Sequence, residues 1–379
     1  MSENPQKNGK NNGAGFWLLL FGIALAFYFI NESKRSPENV RGESISQRAP
    51  EPPAATVTDI APRKISDSND PSATLQIPFS RPVKTAAVND LLVDPAGTLW
   101  AATEAGIVSI RNDQIKHYRL ADGTFPFPQA QCLAHDGSRL WAGTLFGLCV
   151  FNENKRFVRA EASRGLPSQM IWDMTSDGKT LWVGTQSGAA FLGKDDNFVV
   201  IDEEGSNGGL RQNWCQRIFR VENWFVASHD NGISLWNTSF PAANPEWWKN
   251  IDHARSGLTR PVTDFAFDGK YLWLSTPRGV LHLTTPVSRF FSDFMPNLVS
   301  YSRVHGLPAD RINSMIHHRG ALWVATNEGI ARIKNEHIQL ISPESGNFAR
   351  HIRKLAASGD LLWLGTDNAI QFINTAMVD

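Results

Sequence analysis

The sequence predicts an all-β protein, a seven-bladed β-propeller of four-stranded blades that follows one N-terminal transmembrane helix and a flexible linker. Two observations predict the propeller: a Leu-Trp-x-Gly-Thr pattern recurs in seven copies, and its aromatic anchors are 40 to 50 residues apart. A period of that length is typical of one four-stranded blade. The anchors are Trp100, Trp141, Trp182, Phe225, Trp273, Trp323 and Trp363.

The third copy shows how one repeat divides into strands. "MIWDMTS" is the inner strand, Asp177-Gly178 is a hairpin turn, "TLWVG" is the second strand, and "AAFL" and "NFVVID" are the third and fourth. We expect Trp182 to fill the wedge between neighbouring twisted sheets, and Gly184 to let the next sheet approach. The conspicuous repeat pattern therefore specifies the scaffold.

The two ends of the domain are predicted to meet in one blade. The seventh copy lacks an outer strand, and Thr74–Phe79, ahead of the first copy, has the pattern of an outer strand without a partner. We expect Thr74–Phe79 to pair alongside Ile370–Ile373, because such closure removes an exposed sheet edge. Residues 73–379 are thus predicted to form one propeller.

The residues before the propeller predict attachment to a membrane. Residues 1–15 are a short polar tail, 16–30 are fifteen apolar residues without a charge, and 31–72 are a Pro/Ser-rich segment with a disordered composition. A cleaved signal peptide with Ala24-Leu25-Ala26 as its processing site is the alternative to an uncleaved anchor. We expect a single-pass inner-membrane protein with the propeller in the periplasm.

Composition and motifs argue against several functions. The 37 basic and 37 acidic residues balance, so no overall field favours nucleic acid. Cys132, Cys149 and Cys215 have neither zinc nor disulfide-framework spacing and are predicted to be buried thiols. We find no catalytic, phosphate-binding or metal-binding motif, and therefore expect no cofactor, no metal site and no enzyme activity.

Equivalent positions of the inner strands form the first group of candidate site residues. If this position faces the central channel, three carboxylates and a lysine line it, and a cation or hydrated polar ligand fits there. The alternative is that backbone donors and water satisfy these groups. The channel ring is predicted to comprise Asp90, Cys132, Asp173, Gln216, Asp264, Ser314 and Lys354.

The loops on one face of the ring supply the second group. Rigid strands present variable loops there, and several arginines against few acids indicate a small anionic ligand or a protein partner. A solvated loop face is the alternative for any one of these residues. The predicted binding residues are Arg211, Asn213, Arg260, Arg278, Arg311, Asn327, Arg350 and His351, with Phe146, Gln186 and Asp230 beside them.

Two insertions add aromatic residues beyond the repeat. One carries Trp247 and Trp248, and the other carries Phe290, Phe291 and Phe294. They are interpreted either as a patch that docks a partner or as a cap on the side of the ring.

Two fragments resemble the repeat of the two-component regulator propellers. "GLPSQMIWDMTSDGKTLWVGTQSG", from Gly165, and "GLPADRINSMIHHRGALWVATNEG", from Gly306, share its Gly-Leu-Pro lead-in, inner strand and Leu-Trp strand pair. The resemblance covers about 300 residues and is weakest in the fourth copy. It implies a seven-bladed propeller that senses a ligand or partner outside the cytoplasm. The chain carries no kinase or output domain after its last blade, so we expect any output to pass through a partner.

The sequence therefore predicts a membrane-anchored, non-catalytic recognition or scaffold propeller of the bacterial envelope. The alternative is a propeller lyase or hydrolase with its site on the loop face near the channel, where residues such as His351 and Glu328 converge.

Overall fold

A computed structural model describes residues 57–59, 74–252, 262–290, 292, 297–343 and 351–378. The predicted polar tail, transmembrane helix and most of the linker lie outside the described residues, as do Arg260, Phe291, Phe294 and Arg350. In the part of the chain that the structure describes, no helix is long and apolar enough to cross a bilayer.

Seven antiparallel sheets follow one another along the chain, which confirms the predicted all-β, seven-bladed propeller of four-stranded blades.

Strands are named a to d from the inside of each blade outward. Blade 1 comprises Val88–Val93, Leu99–Thr103, Gly106–Arg111 and Gln114–Tyr118; blade 2 Cys132–His135, Leu140–Thr144, Gly147–Phe151 and Phe157–Arg159; blade 3 Ile171–Ser176, Leu181–Thr185, Gly188–Leu192 and Phe198–Ile201; blade 4 Arg217–Val221, Trp224–His229, Gly232–Asn237 and Trp248–Asp252. Blade 5 comprises Asp264–Phe267, Leu272–Thr276, Gly279–Leu283 and Leu298–Tyr301; blade 6 Ile312–His318, Ala321–Thr326, Ile330–Lys334 and His337–Pro343; blade 7 Ile352–Ser358, Leu361–Thr366, Ala369–Asn374 and Val83–Lys84. Short 3-10 helices lie at Glu161–Gly165, Pro245–Trp247, Val287–Arg289, Arg303–His305 and Thr375–Met377.

Seven apolar clusters lie between successive blades, and the last joins blade 7 to blade 1, so the ring is closed. Each tryptophan of the Leu-Trp pattern packs towards the following blade, as expected for a residue that fills a wedge. The glycine two residues later marks a close approach: a Cβ atom on Gly143 would lie 2.7 Å from Cγ2 of Ile171 in blade 3. The predicted roles of tryptophan and glycine are therefore confirmed.

The turn aspartates have a second role that the repeat pattern did not reveal. Besides closing the a–b hairpin, Asp136 accepts a hydrogen bond of 2.8 Å from the indole N–H of Trp141. The same 2.8 Å bond joins Trp100 to Asp94 and Trp273 to Asp268. In these blades the turn fixes the orientation of the large ring and satisfies its buried N–H.

The threonine and second glycine of the pattern close the b–c hairpin. Thr185 donates from Oγ1 to the carbonyl of Gly188 at 2.8 Å and accepts from the N–H of Ser187 at 3.1 Å. Gly188 has a φ of 127°, and its position faces the outer strand, where a Cβ would lie 2.8 Å from the carbonyl oxygen of Ile201. The Gly-Thr-x-x-Gly segment is thus a turn and not a ligand loop.

Closure of blade 7 differs from the prediction in its residues. Val83–Lys84 pairs antiparallel with Ile370 and Ala369, and Phe79 bridges Ile373. Thr74–Ile77 pairs instead in parallel with the outer strand of blade 6. The chain crosses from blade 6 to blade 7 at Pro78, between Ile77 and Phe79, because proline donates no hydrogen bond to a ladder.

Part of the predicted linker also adds to the ring. Val57–Asp59 pairs in parallel with the outer strand of blade 5, from Leu298 to Ser300. The chain ahead of the propeller therefore contacts blades 5, 6 and 7 in that order.

Blade 4 departs from the predicted register by one residue. Phe225, the predicted anchor, packs back towards blade 3, whereas Trp224 and Val226 pack towards blade 5. The b–c hairpin of this blade turns at His229 and Gly232, which places one more residue between the aromatic and the turn. Because side chains alternate along a strand, one extra residue exchanges the two faces.

The inserted aromatic residues in the described part of the chain belong to the packing. Trp248 is buried between blades 3 and 4 and donates to the carbonyl of Ala242 at 2.8 Å. Phe240 stacks on Trp247, with ring centroids 3.7 Å apart. Phe290 is fully buried against Trp224. The interpretation as a cap on the ring is therefore confirmed for the buried Trp248 and Phe290.

Candidate functional site at the mouth of the channel

Seven inner-strand residues occupy one position of the ring, opposite the small residue of each strand b. They are Asp90, Cys132, Asp173, Arg217, Asp264, Ser314 and Lys354. Six match the predicted channel ring. The seventh, Gln216, was wrong by one residue: Arg217 pairs with Ser228 at that position, and Gln216 precedes it. The ring thus contains two cations beside its three carboxylates.

The ring carboxylates bind the backbone of the following blade. Their hydrogen bonds run from Leu133 N–H to Asp90 at 2.8 Å, from Ile218 N–H to Asp173 at 2.9 Å, and from Met315 N–H to Asp264 at 3.0 Å. The Nζ atom of Lys354 lies 3.7 Å from Asp90 and 3.8 Å from Asp264, and Arg217 lies 3.5 Å from Asp173. These groups join blades 1 to 2, 3 to 4 and 5 to 6.

Burial dominates the electrostatics of this ring. Burial raises the pKa of Asp90 and Asp173, although Lys354 and Arg217 oppose the shift. Burial, with the neighbouring carboxylates, also raises the pKa of the Cys132 thiol well above its ordinary value. Among the described residues, no three His, Cys, Asp or Glu side chains are grouped to hold a metal ion. The geometry supports the structural alternative for the ring.

A cavity of about 620 Å³ opens beside this ring, at the end of the channel where strands a begin. Its wall includes the residue that immediately precedes the ring residue in every blade. These seven mouth residues are Asn89, Gln131, Trp172, Gln216, Thr263, Asn313 and Arg353. Loops add Trp214, Arg311, Asn327, His351 and Asp367.

β-bulges aim four of the mouth residues at the cavity. The a–b register shifts at Asn89, Trp172, Asn313 and Arg353, between two residues that are paired. A bulge leaves its extra residue outside the ladder and redirects the side chain. The ring residue and the residue before it therefore both lie at the channel, which simple alternation of side chains along a strand does not permit.

Several mouth side chains are fixed by hydrogen bonds to the next blade. Asn89 donates to the carbonyl of Ala130 at 2.9 Å, and Asn313 donates to the carbonyl of Ile352 at 2.8 Å. Arg353 donates to Asn89 Oδ1 at 3.0 Å and lies 3.1 Å from Asp367. The mouth is thus pre-formed, with its amide groups held in place.

Two tryptophans form the aromatic part of the wall. Trp172 and Trp214 contact each other, with ring centroids 5.7 Å apart and planes inclined by 49°. The indole N–H of Trp172 is buried and has no hydrogen-bond partner among the described residues. An unsatisfied buried donor in a cavity wall is typical of a position that water or a ligand completes.

Three of the predicted binding residues, Arg311, Asn327 and His351, line this cavity. His351 has a φ of 61°, unusual for a residue with a side chain, and its N–H donates to the carbonyl of Asn327. The other three described ones, Arg211, Asn213 and Arg278, do not line it.

Those three have contacts that explain their positions. Asn213 accepts from the N–H of Glu203 at 2.7 Å and so fixes its own loop, the N–H of Arg211 donates to Ser234, and Arg278 is exposed on the b–c loop of blade 5. The sequence did not predict six of the mouth residues, Asn89, Gln131, Trp172, Thr263, Asn313 and Arg353, or the loop residues Trp214 and Asp367. Only the two tryptophans could have been noticed, because both lie outside the Leu-Trp register.

Neither a protein-family model nor a curated protein matches the chain. Solved structures do match. The extracellular domain of the proposed hybrid two-component system BT3049 from B. thetaiotaomicron is 18% identical, with a TM-score of 0.62 over 79% of this chain and 42% of that one. Virginiamycin B lyase from Staphylococcus aureus is 14% identical, with a TM-score of 0.59 over 78% of this chain and 99% of the lyase. PorZ, a surface component of the type-IX secretion system of Porphyromonas gingivalis, is 11% identical, with a TM-score of 0.53 over 77% of this chain and 37% of PorZ.

These similarities concern the fold, because every identity is low. The propeller resembles extracellular domains of two-component systems and a lyase about equally well. The chain spans less than half the length of the BT3049 domain. Function must therefore be argued from the mouth of the channel.

Proposed function

We propose that the chain is a non-catalytic recognition propeller that binds a ligand, or a projecting part of a protein partner, at the mouth of its channel. The observation that carries this proposal is the convergence of one residue from every blade on a single cavity. A volume of about 620 Å³ falls within the range of small-molecule sites. Amide and indole groups dominate its wall, and such groups orient a ligand without reacting with it.

The acid and base groups of the cavity favour binding over catalysis. Asp367 is the one carboxylate among the described residues that line it, and it lies 3.1 Å from Arg353. The neighbouring ring carboxylates accept backbone hydrogen bonds. A general base must lie within hydrogen-bond reach of the proton that it takes, and none of the three ring carboxylates lines the cavity.

A propeller lyase or hydrolase is the second candidate function. The fold similarity to virginiamycin B lyase and the presence of His351 in the cavity favour it. A histidine is the side chain best suited to general acid–base work near neutral pH. This candidate requires that His351 have a second catalytic group within reach of a bound substrate.

We further propose that residues 16–30 anchor the chain in the inner membrane and that the propeller lies in the periplasm. The uncharged apolar run of residues 16–30 supports the anchor. The fold similarity to extracellular domains supports the compartment. Protease treatment of spheroplasts tests the topology: degradation of the propeller before lysis is expected, and protection until lysis would contradict it.

The recognition function is tested by photo-crosslinking in intact membranes. A photoreactive residue replaces Asn327, in the cavity wall, or Lys179, at the a–b turn that lies at the opposite end of the strands. We expect a specific product from position 327 alone, lost when Gln131→Trp fills the mouth. Equal products from both positions, or none from 327, would contradict recognition at the mouth.

Turnover separates the two candidate functions. The full chain in detergent is assayed for lyase and hydrolase activity, with His351→Ala as the control variant. Turnover that disappears in His351→Ala would establish the enzyme and overturn the non-catalytic proposal.

A further inference from the structure

The wall of the channel mouth has two chemically different sides. Trp172 belongs to blade 3 and Trp214 to the loop that enters blade 4. Arg311 enters blade 6, while His351 and Arg353 belong to the start of blade 7. In a closed ring of seven blades, the junction of blades 3 and 4 lies across from blade 7. The cavity therefore has an aromatic side and, at blades 6 and 7, a cationic side. A third arginine of the wall, Arg217 of blade 4, lies near the aromatic side and is paired with Asp173.

The aromatic side offers two indole rings and, on Trp172, a buried donor. Trp172 and Trp214 both line the cavity, are in tilted contact with each other, and are half-buried. The N–H of Trp172 is buried and lacks a partner among the described residues. Such a surface favours a flat apolar group, which it can contact over a large area.

The three arginines of the wall differ in how far their charge is already compensated. Arg353 lies 3.1 Å from Asp367 and donates to Asn89, and Arg217 lies 3.5 Å from Asp173. Arg311 is exposed and makes no ion pair or side-chain hydrogen bond with the residues that the structure describes. Arg311 is thus the guanidinium of this wall whose five donors are available to a ligand.

We propose that the ligand is a small organic anion with a flat apolar group, which packs against Trp172 and Trp214 while its carboxylate or similar anion pairs with Arg311. This inference rests on the proposed recognition at the mouth and adds the chemical class of the ligand. A guanidinium and a carboxylate form paired, charge-assisted hydrogen bonds, which fix orientation as well as adding affinity. The amides of Gln131 and Gln216 border the space between the two sides.

The test compares three compounds on the full chain in detergent, by calorimetry and ligand-observed NMR. 3-Phenylpropanoate has both the ring and the anion, 3-phenylpropan-1-ol lacks the anion, and butanoate lacks the ring. We expect 3-phenylpropanoate to bind about tenfold or more tightly than either of the others, because one charge-assisted pair accounts for a difference of that size.

Variants assign the two ends of the ligand. Arg311→Ala is expected to weaken 3-phenylpropanoate about tenfold and leave 3-phenylpropan-1-ol unchanged, and Trp172→Leu is expected to weaken both. Arg278→Ala is the matched control, since Arg278 is an exposed arginine of the same face outside the cavity. Circular dichroism checks that each variant is folded.

The outcomes distinguish this inference from the recognition proposal. Equal affinity for the acid and the alcohol, or unchanged binding in Arg311→Ala, overturns the ligand class and leaves recognition at the mouth intact. If none of the three compounds binds while the mouth crosslink forms, the class is again wrong and recognition stands. If neither binding nor the crosslink is seen, both proposals fail.

Discussion

Replacing Asp136 by alanine removes an acceptor that serves five donors. Its carboxylate accepts from the indole N–H of Trp141 at 2.8 Å, from Ser138 N–H at 2.9 Å and from Arg139 N–H at 2.7 Å, as well as from the Ser138 hydroxyl and the Arg139 guanidinium. Trp141 is 2% exposed, so its indole N–H has no access to water once the acceptor is gone. That unsatisfied group costs about 1 to 3 kcal/mol, and the turn donors add about 1 kcal/mol.

The pKa of Asp136 gives an independent magnitude. Burial opposes its ionisation, but hydrogen bonds from Trp141, Arg139 and Ser138 outweigh burial and lower its pKa from 3.8 to about 2. Such a shift corresponds to about 2 kcal/mol in favour of the folded state. Because the pKa is lower in the folded state, ionised Asp136 stabilises the fold at pH values above the unfolded pKa. This stabilisation is lost as the pH falls towards 2. The hydrogen bonds thus give a cost of about 2 to 4 kcal/mol for Asp136→Ala at neutral pH, and the pKa shift gives about 2 kcal/mol.

Asp177 supplies the matched control in blade 3. It occupies the same turn and accepts from the N–H groups of Lys179 and Thr180 at 3.0 and 2.8 Å. Its carboxylate also lies 3.9 Å from the guanidinium of Arg220, but it makes no hydrogen bond to Trp182. Asp177→Ala is therefore expected to cost about 1 kcal/mol.

Urea unfolding of the full chain in detergent, followed by circular dichroism, measures both losses. We expect Asp136→Ala to cost about 2 kcal/mol more than Asp177→Ala, with the gap to wild type narrowing as the pH falls below about 4. Equal losses in the two variants, or a gap that does not change with pH, would refute the argument that the turn aspartate holds the blade tryptophan.

Three further changes test other parts of the scaffold. Gly143→Ala should cost about 2 kcal/mol in urea unfolding, because its Cβ would overlap a side chain of blade 3, while Gly165→Ala, whose nearest contact would be 3.6 Å, should change stability by less than about 0.5 kcal/mol. Burial raises the pKa of Asp173, so the carboxyl of Asp173 binds a proton more readily in the folded state than in the unfolded chain. Wild type should therefore gain stability over Asp173→Asn as the pH falls from neutrality towards 3.8, and a stability difference that does not change with pH would contradict this. Ile77→Ala should cost about 3 kcal/mol because Ile77 is buried between blades 6 and 7, whereas Leu75→Ala should cost about 1 kcal/mol because Leu75 is only partly buried. Similar losses in the two variants would argue against the strand at this edge.

The number of blades could be predicted because every blade repeats one packing problem. Each blade needs a tryptophan that faces the next sheet, a small residue after it and a tight b–c turn. Each of these local requirements is met by a residue type that can be recognised in the sequence. The sequence indicates the closing strand of the ring less clearly. The segment from Thr74 has the composition of an outer strand, but composition does not say which of two neighbouring edges it joins. Only Pro78, which interrupts the segment, indicates that Thr74–Phe79 does not form one continuous strand.

Blade 4 shows how a single residue misleads a repeat alignment. Its aromatic residue, Phe225, lies one residue farther from the b–c turn than the tryptophans of the other blades, and counting from it therefore selected Phe225 and Gln216 instead of Val226 and Arg217. The charge of the ring was wrong as a result, because a second cation had been read as an amide. A strand register is set by pairing, which the sequence alone does not display.

The mouth of the channel was missed for a related physical reason. Strict alternation assigns adjacent residues to opposite faces, so placing Asp173 on the channel directs Trp172 away from it. The bulge at Trp172 removes that conflict by taking one residue out of the ladder. The same irregularity recurs at the equivalent position of blades 1, 6 and 7.

These bulges separate the two tasks of the inner strands. The ring residue keeps its contact with the next blade, so its identity is constrained by the scaffold, while the residue before it is released to face the cavity. Asparagine, tryptophan and arginine can therefore alternate at the mouth without a change in the sheets that carry them. Selection on ligand binding can act on that position blade by blade, and differences between the seven copies at this one place are where specificity should be sought.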